Sequence, residues 1–152
     1  MVYTPPMNIS LRDISKKSIF LGGSIEMGSA ENWQIDMINF LEPFDFEILN
    51  SRREDWDSTW KQSYENGNFY QQVNWELNAL EHADIILMNF IPDTLSPISL
   101  LEMGLFGVDA NMHVVCPDGY WRKGNVDVVC DRYSIPLYNT LDDFKRFIKT
   151  MY

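Results

Sequence analysis

Short, unbroken apolar runs alternate along the chain with longer segments whose apolar residues recur at helical spacing. SIFLGG (18–23), FEILN (46–50), ADIILMNF (83–90), MHVVCP (112–117) and SIPLYN (134–139) have strand length, and turn-forming residues bound them. ADIILMNF is apolar at successive positions, as a central parallel strand covered on both faces must be. Trp33, Met37, Phe40 and Leu41 fall at i, i+4, i+7 and i+8, which predicts a helix over 30–41 with Ser29 as N-cap, Glu31 in its first turn and Pro43 beyond its end. Val73, Leu77 and Leu80 predict a helix over 71–82. SLLEMGLFGV predicts one over 99–108, and Thr140 caps a terminal helix. Segment 125–133 reads as a short helix or an irregular stretch, and 51–71 as a long polar loop leading into a helix.

The resulting order, β-α-β-α-β-α-β-loop-β-α, predicts a single α/β domain over 18–152 with a parallel sheet and helices on both faces. Residues 1–17 read as an N-terminal arm in which Pro5-Pro6 blocks regular structure. Ligands in such sheets bind beyond the C-terminal strand ends, near the switch in strand order.

Composition narrows the partners. A net charge of −10 repels phosphate backbones and anionic lipid, so neither a nucleic-acid polymer nor a membrane is an expected partner. A small anion remains compatible with the adjacent Arg52 and Arg53, or Arg122 and Lys123. Cys116 and Cys130 lie in apolar runs without a CxxC spacing, and His82 and His113 are isolated, so buried thiols are expected rather than a metal site. The N-terminus carries no signal-peptide core, and IILMNFI is too short to span a bilayer, so the expected location is cytoplasmic.

Four strand-end segments hold the candidate chemistry: 22–28, 51–57, 91–104 and 117–125. Gly22 and Gly23 allow close backbone approach, and Ser24 adds a hydroxyl. The loop is neither GxGxxG nor a P-loop, so no dinucleotide cofactor and no ATP hydrolysis are expected. Glu102 lies among Leu100, Leu101, Met103 and Leu105. It is either a partly desolvated carboxylate suited to a developing cation or a plain surface charge. Glu76 is either an exposed helix charge or the second acid that glycosyl chemistry requires. Ser96 and Ser99 are candidate sugar or phosphate contacts, with helix capping the competing role of Ser99. Trp56, Trp60 and Tyr64 recur every four residues, as a helical stripe or as a stacking wall for a nucleobase.

FLGGSIEMG, NSRREDWDSTW, QVNWELNALEHADIILMNF, SPISLLEMGL and VVCPDGYWRKGNVDVVC, in this order over roughly 18–140, resemble the nucleoside 2-deoxyribosyltransferase-like superfamily. The resemblance implies a flavodoxin-like three-layer α/β/α fold with a five-stranded parallel sheet. It implies Glu102 as nucleophile within an E-x-G element completed by Gly104, and Glu76 as the acidic partner that positions or protonates the base. Many relatives carry aspartate at that second place. Arg53, Asp55 and Trp56 would line the base, with Arg52 beside them. Gly23, Ser24 and Ser96 would lie near the sugar or its 5′ substituent.

The family's transferases have an aspartate where this chain has Ser96, and relatives that hydrolyse nucleoside 5′-monophosphates have serine there. The resemblance thus implies a transferase of 2-deoxyribosyl groups between nucleobases, with a nucleotide N-glycosidase as the alternative. It also implies a homodimer or larger symmetric assembly in which Asn125 completes a neighbouring site. Neither reaction needs a cofactor. A non-catalytic nucleotide sensor is the alternative from another class.

Overall fold

A computed structural model of the chain describes residues 1–26, 30–53, 55–108 and 111–152. Among these residues the strands are β1 (Val2–Tyr3), β2 (Ser18–Gly23), β3 (Glu47–Asn50), β4 (Ile85–Asn89), β5 (Met112–Val115) and β6 (Leu137–Tyr138). The α-helices are α1 (Trp33–Leu41), α2 (Gly67–His82), α3 (Pro97–Phe106), α4 (Lys123–Tyr133) and α5 (Leu141–Met151). The strands form one parallel sheet in the order β1-β3-β2-β4-β5-β6.

Alternate strand residues feed two cores, because successive side chains leave a strand on opposite faces. Phe20, Ile86, Met88 and Val114 pack with Trp75 and Ala79 of α2, Met103 of α3 and Val126 of α4. Ile19, Leu21, Ile85, Leu87 and Val115 pack with Trp33 and Met37 of α1 and Phe144 and Ile148 of α5. The result is the three-layer, flavodoxin-like arrangement.

The sheet has six strands rather than five. The arm supplies the extra one: Val2 and Tyr3 pair in parallel with Ile48 and Leu49 at the edge. Regular structure therefore precedes Pro5-Pro6. A short 3-10 turn, Ile9–Leu11, follows them. Tyr3 and Ile9 are buried in the core, the Trp75 indole donates to the Met7 carbonyl (2.7 Å), and Arg12 donates to the His82 carbonyl (3.1 Å).

Several boundaries move. Helix α1 starts at Trp33 after Asn32, and Ser29 lies outside the described residues. Helix α2 begins at Gly67, capped by Asn66, and buries Gln72, Trp75, Ala79 and Leu80. Its inward face is thus rotated from the Val73-Leu77-Leu80 stripe, because tertiary packing favours Trp75 over the smaller aliphatics. Segment 123–133 is a full helix. Thr140 does cap α5, with Asp143 returning the bond to form a capping box. Cys116 and Cys130 are buried free thiols. No helix among the described residues is long and apolar enough to cross a membrane.

Candidate active site

From β2 the chain crosses by α1 to β3 on one side. From β3 it crosses by α2 to β4 on the other side of β2. The switch point thus lies between β2 and β4, where Gly23 faces Asn89. Gly23 has φ +130°, and a Cβ there would sit 2.0 Å from the Asn89 carbonyl oxygen. Gly22 is closed in by Phe20, whose ring lies 2.6 Å from the position of a Cβ. Both glycines are thus fixed by strand packing.

Helix α3 starts at this point and is turned inside out. Ser99, Glu102 and Met103 are its buried residues, at i, i+3 and i+4. Ile98, Leu101 and Leu105 are 59%, 58% and 57% exposed, the reverse of an ordinary amphipathic helix. Ser99 does not cap the helix. It lies in the first turn, and its hydroxyl donates to the Gly23 carbonyl (2.9 Å). Glu102, one turn on, follows on the same face.

Glu102 is 7% exposed, which excludes the surface-charge reading. Leu101 and Leu105 point away, so its desolvation comes from the elements α3 packs on. Burial pushes its carboxyl up to about 8, and the charge of Glu76 adds to the rise. Glu76 is half-buried on α2, where burial pushes its carboxyl up to about 7 against the opposing effect of a hydrogen bond from Gln72. The Gln72 amide nitrogen donates both to Glu76 (2.9 Å) and to the Ser51 carbonyl (3.1 Å), which fixes the carboxyl relative to the end of β3. Both carboxyls are thus raised toward neutrality by burial, and Glu102 is raised further by the charge of Glu76.

Ser24 and Ser96 are buried in a hydroxyl cluster. Ser24 Oγ lies 2.7 Å from both Thr94 Oγ1 and Ser96 Oγ, and the Ile91 N–H donates to it (3.0 Å). Glu26 completes the cluster. Its Oε1 accepts from the backbone N–H groups of Leu95 (2.9 Å) and Ser96 (2.7 Å), with Ser96 Oγ at 3.4 Å. Glu26 and Ser96 have φ 47° and 48°. Tyr120 and Trp121 both donate to the Leu95 carbonyl (2.9 and 3.0 Å), so the 117–122 loop braces the same turn.

Residues 51–66 contain no helix among those described, so the helical stripe of Trp56, Trp60 and Tyr64 is replaced by two aromatic pairs. Trp56 meets Trp60 edge to face at 5.2 Å, and Tyr64, exposed, meets Tyr70 at 4.8 Å. Arg53 forms a two-point pair with Asp55 (2.5 and 3.0 Å) and lies 4.9 Å from the Trp60 ring centre. Arg53 Nη1, Trp56 Nε1 and Gln72 Oε1 are buried without a hydrogen-bond partner among the described residues. Arg52 donates to the Ala30 and Glu31 carbonyls and ties this loop to the start of α1. Asn125 is exposed in the first turn of α4 rather than in a loop.

The fold therefore brings Glu102, Ser96, Ser99, Gly23 and Ser24 to the switch point, holds Glu76 by the end of β3 where its charge acts on Glu102, and leaves Asn125 on the surface. Sequence reasoning missed Glu26, Gln72 and Thr94. Glu26 had one signal, an acidic residue within a glycine loop. A groove of about 570 Å³ between the arm and α2, lined by Asn8, Arg12, Asn74 and Asn78, lies on another face of α2 and gathers no acid pair.

Residues 16–120 match the family described as "Nucleoside 2-deoxyribosyltransferase like". No curated protein matches the chain.

Proposed function

The chain belongs to the nucleoside 2-deoxyribosyltransferase-like family, and from that premise we propose that it cleaves the N-glycosidic bond of a deoxynucleoside and transfers the 2-deoxyribosyl group to another nucleobase. One observation carries the reading: the buried carboxyl of Glu102 on the inward face of α3 and the half-buried carboxyl of Glu76 on α2 are both raised, and the charge of Glu76 acts on Glu102.

The reactive form is the one with Glu102 ionised and Glu76 protonated, the minor form near neutrality because the Glu102 carboxyl is the more strongly raised. In it Glu102 attacks C1′ as the C1′–N bond breaks, and a glycosyl ester forms on its oxygen. Glu76 gives its proton to the departing base nitrogen. An incoming base attacks C1′ through its nitrogen, Glu102 leaves as carboxylate, and Glu76 takes the incoming base's proton. The arrangement is balanced over one cycle and uses no cofactor. Water in place of the second base would give hydrolysis. A nucleotide sensor would need neither acid.

The base lies toward Arg53, Asp55 and Trp56, where unsatisfied buried donors and an aromatic pair support recognition of a flat polar ring. The sugar lies along the first turns of α3, near Gly22, Gly23, Ser24, Ser96 and Ser99. The exposed stripe Ile98-Leu101-Leu105 on the helix that carries Glu102 supports a symmetric homo-oligomer. In that assembly Asn125 of the partner subunit reaches the sugar.

The test is base exchange. Wild type is incubated with each deoxynucleoside and a different free base, and products are separated by chromatography. A new deoxynucleoside is expected, and Glu102→Ala is expected to form none. Full exchange by Glu102→Ala would refute the assignment. Free base plus sugar, without exchange, would make the enzyme a hydrolase.

A further inference from the structure

We propose that Glu26 is a specificity-determining residue that bars a 5′-phosphate, so that the substrate is a neutral nucleoside. The inference rests on the glycosyl-transfer reading above.

The geometry runs along α3. Ser96 precedes Glu102 by six residues, about 9 Å along a helix axis. The Glu102 side chain leans back toward the start of the helix, which shortens that span. A furanose with C1′ at Glu102 leaves its base toward Glu76 on α2. Its opposite end, the 5′ carbon, then faces the turn at 94–96.

A phosphate at that turn would need donors, and the donors are committed. The N–H groups of Leu95 and Ser96 both donate to Glu26 Oε1. The Ser96 hydroxyl is engaged by Ser24, Thr94 and Glu26. A carboxylate of this chain already holds the place an anion would take. A 5′-phosphate would have to displace it and then sit beside its negative charge, whereas a 5′-hydroxyl brings no such repulsion. The serine at position 96, read alone, points toward nucleotides, and Glu26 reverses that reading.

The test is the affinity of four deoxynucleosides and their 5′-monophosphates, measured by titration calorimetry on wild type, Glu26→Gln and Glu26→Ala. Products are followed in the same samples. Wild type is expected to bind its preferred nucleoside at least about tenfold more tightly than the matching monophosphate, about 1.4 kcal/mol. Glu26→Gln keeps an acceptor oxygen for the two N–H groups and removes the charge, so that ratio should fall severalfold. Glu26→Ala vacates the donors, and the ratio should fall further. A wild type that binds the monophosphate as well as the nucleoside overturns the proposal alone, whether or not the variants fold. An unchanged ratio in both variants does the same. Failure of wild type to bind any member of either set overturns this proposal together with the glycosyl-transfer reading.

Discussion

Replacing Glu102 by glutamine should abolish catalysis and stabilise the fold, by an amount set by pH. Glu102 is buried, and its carboxyl is pushed from an ordinary 4.5 up to about 8 by desolvation and by Glu76. Because the folded value is the higher one, the native chain keeps a proton that the unfolded chain has released. Stability from this group is complete below about pH 4.5 and is lost as pH rises through about 8. Each pH unit in that window costs about 1.4 kcal/mol, which gives about 1 kcal/mol at pH 5, about 3 at pH 7 and about 5 at pH 9. Glutamine has the same shape and cannot ionise, so the variant escapes that cost. At roughly 2–4 °C per kcal/mol for a chain of this size, Tm should rise by about 6–12 °C at pH 7. Calorimetric melts of both proteins from pH 5 to 9 measure the difference. A difference that stays flat with pH, or a variant less stable at pH 8, would refute the claim that residue 102 stores desolvation cost for chemistry.

Glu76→Gln should slow base release by about 10²-fold or more, and the rate profile should lose its limb near pH 7, as measured by initial rates across pH. Gly23→Ala places a Cβ against the Asn89 carbonyl at a backbone angle alanine avoids. It should cost about 3 kcal/mol or more in urea unfolding. Leu101→Glu puts a charge in the middle of the exposed α3 stripe, and sedimentation should register a shift toward monomer; an unchanged assembly would remove that stripe from the interface.

The fold was legible because apolar run length and helical spacing report burial directly. The parallel order, the central character of 85–89 and the Thr140 cap all follow from residues adjacent in sequence. The edge strand at Val2–Tyr3 was not legible, since two residues carry no periodicity and their pairing partner is 46 positions away. The stripe at Trp56, Trp60 and Tyr64 misled because spacing of four has the same appearance in a loop whose rings pair edge to face. Glu102 was found through its neighbours, yet for an incomplete reason: Leu101 and Leu105 point outward, and the sheet and α2 side of the helix desolvates it instead. Glu26 and Gln72 act through contacts to residues at sequence distances of 69–70 and 4–21, and single-sequence reading assigns such contacts no weight.

The covalent step is the central claim, and peptide mass spectrometry after rapid acid quench reads it directly. Wild type mixed with its preferred deoxynucleoside, with no acceptor base present, should carry one deoxyribosyl group on the peptide containing Glu102, and the adduct should vanish when an acceptor base is added. Steady base release with every peptide unmodified, or an adduct on another residue, would contradict the account.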